Sequence, residues 1–179
     1  MTATVANYRW NAGEFVGAWE ASVFDSRAEL VEGEVWPVAM GDWPGEAVGR
    51  VILALGSRGL RPTTSMLPSG TSLPDPDCWV RRDGANPTGT LGRRLSTWAP
   101  DVLLVVGMSD ETLMADLTIK ARVDGAAAWP VYWVVSPEVV YVHTDPHASG
   151  DRQRVEYRSG EQVALPFAED SIAVDDLVG

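Results

Sequence analysis

The sequence predicts an α/β fold, and three observations carry that expectation. Val102–Val106 is an almost wholly apolar run, as expected of a strand buried on both faces in the middle of a sheet. Val131–Val135 is a second such run. Between them Leu113, Leu117, Lys120 and Asp124 recur at three- and four-residue spacing, which places them on one side of a helix. A strand, helix and strand of this length is what a parallel crossover requires.

The rest of the chain follows in order. Met1–Trp10 has no periodicity and is expected to be a flexible tail, with residues 11–179 forming a single domain. Asn11 followed by Glu14 fits a helix N-cap with a carboxylate three residues on. Phe15, Trp19 and Val23 continue that helix as an apolar stripe, to an end near Asp25. Two β-prone runs around Glu32-Gly33, within Ala28–Trp36, read as a hairpin. Gly41–Gly45 reads as a loop, and Val48, Val51, Ile52 and Leu55 place a second helix over Glu46–Ser57. Leu73-Pro-Asp-Pro-Asp77 leads into a strand at Cys78–Arg81, and Asp83–Ala99 reads as an irregular connection. The helix of the crossover is expected to start near Asp110–Thr112, where short polar side chains can accept free N–H groups. A closing hairpin joins Val139–His143 to Arg154–Tyr157, and Val163–Val178 is short apolar pieces separated by acids.

Composition narrows the function. With 179 residues, 45% of them apolar, the chain can bury one good core. No run approaches membrane-spanning length and no signal peptide is evident, so a cytoplasmic protein is expected. The lone Cys78 excludes an intrachain disulfide and a cysteine-rich zinc site. A formal charge of −11 argues against a surface that coats polyanions, though not against a local basic patch. Lys120 stands out as the single lysine against thirteen arginines. A compact ammonium kept in so arginine-biased a chain suits a position where its geometry matters.

The ordered motifs carry a resemblance. The opening helix, the Glu29-Leu-Val-Glu-Gly-Glu-Val35 hairpin, Pro76-Asp77, Pro100-Asp101, the Lys120 helix, Tyr132-Trp-Val-Val135 and the closing hairpin follow one another as in a known group. From about Glu14 onward the chain resembles the bacterial putative restriction-endonuclease family, a branch of the PD-(D/E)XK nuclease superfamily. The resemblance implies a restriction-endonuclease-like central mixed sheet flanked by helices, with N- and C-terminal β-hairpins. It also implies a divalent-metal-dependent DNA endonuclease, with Mg²⁺ or Mn²⁺ as cofactor and DNA as partner.

Residue by residue, the resemblance assigns Asp77 to the first metal ligand and Lys120 to the lysine that orients water and offsets phosphate charge. It expects a glutamate in the strand before Ser109, yet alignment back from Lys120 reaches Val106, or Val105 with a one-residue shift. Asp75 and Glu29 are then candidate replacement ligands, followed by Glu34, Asp110 and Glu111. Arg81, Arg82, Arg93 and Arg94 are candidates for the DNA backbone. The missing acid leads to the expectation of a degenerate, weak or inactive metal site. The alternative is a nuclease-derived binding or structural subunit, as a homo-oligomer or in an assembly with another protein. Each candidate also has a structural role open to it. Asp77 can cap a turn, Lys120 can pair with Asp116 four residues earlier on an exposed helix face, and the arginines can serve as a solvated surface. Cys78 and the eight tryptophans suit core and interface, and Pro146 between His143 and His147 speaks against a helical metal pair.

Overall fold

The computed structural model describes all residues except 1–7, 25–26, 39–40, 94, 99, 111, 148 and 150–152. Most of the expected N-terminal tail therefore lies outside the described residues. Trp10, at its end, donates its N–H to Gly33 O and packs against Phe24.

Helix α1 spans Ala12–Glu20 and opens with a full capping box. The Asn11 side chain accepts from Glu14 N–H at 2.9 Å, while Glu14 accepts from Asn11 N–H at 3.0 Å. It stops earlier than the apolar spacing suggests: Ser22 takes a left-handed φ of 55°, and Val23 lies exposed beyond the end. The hairpin of β1 (Ala28–Val31) and β2 (Glu34–Pro37) turns through Glu32 and Gly33, whose φ values of 48° and 85° match a two-residue primed turn. Helix α2 spans Asp42–Gly56. The expected loop at Gly41–Gly45 is thus its first turn, because Gly41 serves as N-cap and Pro44 is tolerated where no intrahelical N–H bond is needed.

A six-stranded mixed sheet runs β10-β9-β8-β7-β4-β3. Its strands are β3 (Pro62–Thr63), β4 (Cys78–Arg81), β7 (Val102–Met108), β8 (Tyr132–Val135), β9 (Val139–Thr144) and β10 (Gln153–Arg158). The two apolar runs are neighbours and parallel, Val105 beside Tyr132 and Val106 beside Trp133, as the crossover requires. The connection at Asp83–Ala99 holds an extra hairpin, β5 (Gly89–Leu91) and β6 (Leu95–Thr97), whose turn uses Gly92 at φ 64°. The C-terminal pieces form the hairpin β11 (Gln162–Leu165) and β12 (Asp170–Ala173), then a short helix α4 at Val174–Val178.

One irregularity in β7 decides which side chains face which way. Val80 pairs with Leu104 but Arg81 pairs with Val102, leaving Leu103 unopposed in a β-bulge. The alternation therefore inverts. Leu104 and Val106 join Cys78, Val80 and Trp133 in the core against Ala47, Val51 and Leu55 of α2. Val102 and Val105 join Trp79, Tyr132 and Val134 against Ala121 and Trp129 on the opposite face.

The crossover helix, α3 (residues 113–126), is interrupted. It is α-helical over Leu113–Ala115, makes a π turn over Asp116–Lys120 and returns to α over Ala121–Ala126. Such a turn inserts a residue and re-aims the side chains around it. Here it delivers Asp116 and Lys120 to the sheet end where Asp77 enters β4.

Candidate active site

Asp77 precedes β4 by one residue, and its Oδ2 accepts from Met108 N–H at 2.7 Å. Lys120 lines the same pocket, together with Glu29, Asp75, Asp116, Asp124, Tyr132, Val105 and Gly107. The hairpin, the segment before β4, the end of β7 and the π turn of α3 thus converge on one spot. Asp77, Asp75, Glu29 and Lys120, singled out from sequence, meet there. Beyond them opens a cleft of about 680 Å³ between the β1–β2 hairpin, α2 and α3, walled by Trp36, Pro37, Pro44, Val48, Ile52 and Met66.

The charges in this spot are largely committed to one another. Lys120 Nζ lies 2.9 Å from Glu29 Oε1 and 3.0 Å from Asp116 Oδ1, and both carboxylates are buried. Asp116 Oδ2 also accepts from Ser109 Oγ at 2.6 Å and Thr112 Oγ1 at 2.7 Å. Glu29 Oε2 accepts from Asp75 N–H at 3.1 Å, and Asp75 is ion-paired to Arg27. The pairing of Lys120 with Asp116, read from their spacing alone, is present, but in a buried triad rather than on an exposed helix face.

The ionisation of these groups follows from burial set against partners. Burial works against the Lys120 ammonium, yet the charges of Glu29 and Asp116 outweigh it and hold its pKa above the ordinary lysine value. Burial raises the Asp77 pKa, and the Met108 N–H, Arg27 and Lys120 only partly counter that rise. Tyr132 is pushed up by burial and then by the charges of Asp124, Asp116, Glu29 and Asp77. Burial pushes the Cys78 thiol up to about 12, so it is an inert core residue on the α2 face, as its sequence setting suggested.

No carboxylate comes from β7. Of the two expected positions, Val106 points into the α2-side core, and only Val105 is on the Lys120 face. Because Cys78 pairs with Val106, continuing the register one residue sets Gly107 opposite Asp77. A Cβ placed on Gly107 would have only the Tyr132 ring near it, the hydroxyl at 3.4 Å. Among the described residues no three His, Cys, Asp or Glu side chains are disposed to hold a metal. Several carboxylates line the pocket, but the oxygens of Glu29 and Asp116 are turned to Lys120, and Asp75 is turned to Arg27. This donor set does not fit Mg²⁺ or Mn²⁺, which need oxygens free to enter a near-octahedral shell.

The described arginines of the candidate set each have a partner of their own. Arg81 lies at the far end of β4 from Asp77, its guanidinium 4.1 Å from the centre of the Trp98 ring. Arg82 faces Asp101 at 3.5 Å, and Arg93 on the β5–β6 turn faces Glu20 at 3.6 Å. Arg94 and Glu111 lie outside the described residues. Glu34 is held by Arg9 at 2.9 Å, and His147 faces Asp145 at 3.3 Å while His143 is buried.

Residues 18–175 match the model of the Uma2 family, described as "Putative restriction endonuclease". The chain belongs to this family. Among solved structures it is similar to one described as a putative nuclease of DUF820 from Anabaena variabilis ATCC 29413. That match has a TM-score of 0.62 and 14% identity, and covers 94% of this chain and 97% of the other. No curated protein matches the chain. The Uma2 assignment and the shared fold bear out the resemblance read from the ordered motifs, including the central mixed sheet with its flanking helices and hairpins. Among the described residues no helix is long and apolar enough to cross a membrane.

Sequence reasoning passed over Arg27 and Tyr132 and treated Asp116 as a surface partner. Asp116, Lys120 and Asp124 at successive four-residue steps were the available signal. Arg27 had none, because its role depends on the β1–β2 hairpin folding beside Pro74–Asp77.

Proposed function

We propose that this Uma2 protein has a DNA-directed nuclease fold whose divalent-metal centre has decayed, so that it binds Mg²⁺ or Mn²⁺ weakly and cuts DNA slowly or not at all. The observation that carries this reading is the position of Lys120. Its ammonium sits between Glu29 and Asp116 at 2.9 and 3.0 Å, where it supplies the positive charge a metal would otherwise bring. Asp77 is left as a desolvated carboxylate bound to a backbone N–H, opposite a glycine rather than an acid. The bulged β7 and the paired carboxylates support the loss of ligands. A cleft walled largely by apolar side chains also suits a phosphate backbone poorly.

The test combines a calorimetric titration of the protein with Mn²⁺ and a supercoiled-plasmid cleavage assay in Mn²⁺. Weak or absent binding with little or no nicking is the expected result. Saturable Mn²⁺ binding with robust cleavage, both lost in Asp77→Ala, would refute decay and reinstate an active endonuclease. The second reading, a binding or structural subunit without catalysis, is favoured by the absence of any β7 carboxylate on the Lys120 face. It predicts DNA or protein binding that is indifferent to Asp77→Ala.

A further inference from the structure

The two edges of the central sheet differ in kind. At one edge β3 has only two residues, and Pro62 brings no N–H, so that edge is closed to further strands. At the other, β10 is six residues long and contains no proline, lysine or bulge. Its one aliphatic side chain, Val155, is 50% exposed.

The hydrogen-bond pattern shows which groups of β10 face outward. Ser136 N–H donates to Val139 O, and Val139 N–H donates to Ser136 Oγ, so the Val139 backbone faces β8. Its cross-strand partner Arg158 is therefore turned away from β9, and Arg158 N–H and O are both engaged by Glu161. By the alternation of an antiparallel ladder, Gln153, Val155 and Tyr157 bond to β9 while Arg154 and Glu156 present their N–H and C=O outward. No backbone partner for these outward groups occurs among the described residues.

We propose that β10 is the interface through which two copies of this chain pair edge to edge, antiparallel, about a two-fold axis at Val155. Charge selects that register. An axis at Arg154 would set Arg154 against its own copy, and an axis at Glu156 would do the same for Glu156. Centring on Val155 sets Arg154 opposite Glu156 of the second copy, and Glu156 opposite its Arg154. Both are outward-facing residues, so each of the two pairs exchanges two backbone hydrogen bonds. Val155 then meets Val155 in a non-hydrogen-bonded pair, where strands approach most closely, and its exposed surface is covered. Arg154 already lies on the Tyr141 face of the sheet, its guanidinium 5.7 Å from the Tyr141 ring centre, and Glu156 is on that same face, 3.6 Å away. A two-fold axis normal to the sheet keeps both copies' pairs on that face. The surface is self-complementary, as a closed dimer requires.

Sedimentation equilibrium of the full chain, over concentrations up to millimolar, tests this. The parent is expected to dimerise reversibly and Val155→Lys to be monomeric. Arg154→Glu and Glu156→Arg each set like charges opposite one another at two symmetric positions, and each weakens the dimer on the order of tenfold. The double variant restores complementarity with the signs exchanged and is expected to recover it. Circular-dichroism melts establish that each variant is folded, and the charge variants carry the test if Val155→Lys is not. A parent that stays monomeric overturns the proposal. So does a dimer that survives both Val155→Lys and the single charge changes, or a double variant no better than the singles.

Discussion

Replacing Lys120 with methionine removes the one ammonium between Glu29 and Asp116 while keeping the apolar stem. The carboxylate side chains are each 3% exposed, so both would remain as buried charges with their cation gone. Breaking a buried ion pair from one side costs about 3–5 kcal/mol. Two features hold the expectation at the lower end. Asp116 keeps the Ser109 and Thr112 hydroxyls and Glu29 keeps the Asp75 N–H, so neither carboxylate loses all its donors. The Lys120 side chain is also 25% exposed, which lets water take part of its place. A loss of about 3 kcal/mol is expected at neutral pH, or a melting point lower by about 6–12 °C for a chain of this size. Urea unfolding of parent and variant at neutral pH measures it. Glu29→Gln and Asp116→Asn added to the same variant should recover much of the stability. A loss below about 1 kcal/mol would mark an ordinary solvated ion pair and refute the buried-triad argument.

Further outcomes follow from the same geometry. The Lys120 pKa is raised, so its stabilisation is fully present below the ordinary lysine value of 10.5 and is lost as pH rises through the higher folded value; alkaline unfolding should reveal a fall there that Lys120→Met lacks. Asp77 has a raised pKa, so its ionised form is disfavoured in the fold, and Asp77→Asn should stabilise the protein above the folded pKa. That gain should fade as pH falls and vanish below the ordinary value of 3.8, as urea midpoints would show. Val106→Glu buries a carboxylate in the α2-side core and should destabilise by about 3 kcal/mol or more without creating Mn²⁺ binding, which denaturation and calorimetry test together. Gly107→Asp places a carboxylate opposite Asp77, and a new Mn²⁺ titration signal in that variant alone is the expected result.

Most of the fold was legible because it rests on patterns that are local in sequence. Asn11 and Glu14 form the capping box that their spacing suggests, and Glu32-Gly33 makes the tight turn. Val102–Val106 and Val131–Val135 lie side by side because a helix of the right length joins them. What escaped was weakly encoded. Gly92 alone marked the turn of the β5–β6 hairpin, and a proline near the start of α2 made its first turn look like a loop. The π turn in α3 has no apolar period of its own, since it is a single-residue change of phase inside a helix.

Asp77, Asp75, Glu29 and Lys120, singled out from sequence, share one pocket, but its geometry was not legible, and the bulge at Leu103 is part of the reason. Counting back from Lys120 reaches Val106, or Val105 with a one-residue shift, and nothing in the sequence marks that β7 carries a residue its neighbour lacks. The count does not distinguish Val105 from Val106, and it does not select Gly107, whose place opposite Asp77 depends on pairing with β4. The same offset bears on the chemistry. A carboxylate at Val106 would face the apolar α2 side, so the β7 position that matters is the glycine. Lys120 stands there between Glu29 and Asp116, two carboxylates that would otherwise repel each other in a buried pocket. Restoring one carboxylate at position 107 therefore tests more than ligand number. If Mn²⁺ binds only when Lys120 is also released from Asp116, as in Gly107→Asp combined with Asp116→Asn, then the internal ion pair, and not ligand number alone, governs whether a cation can enter.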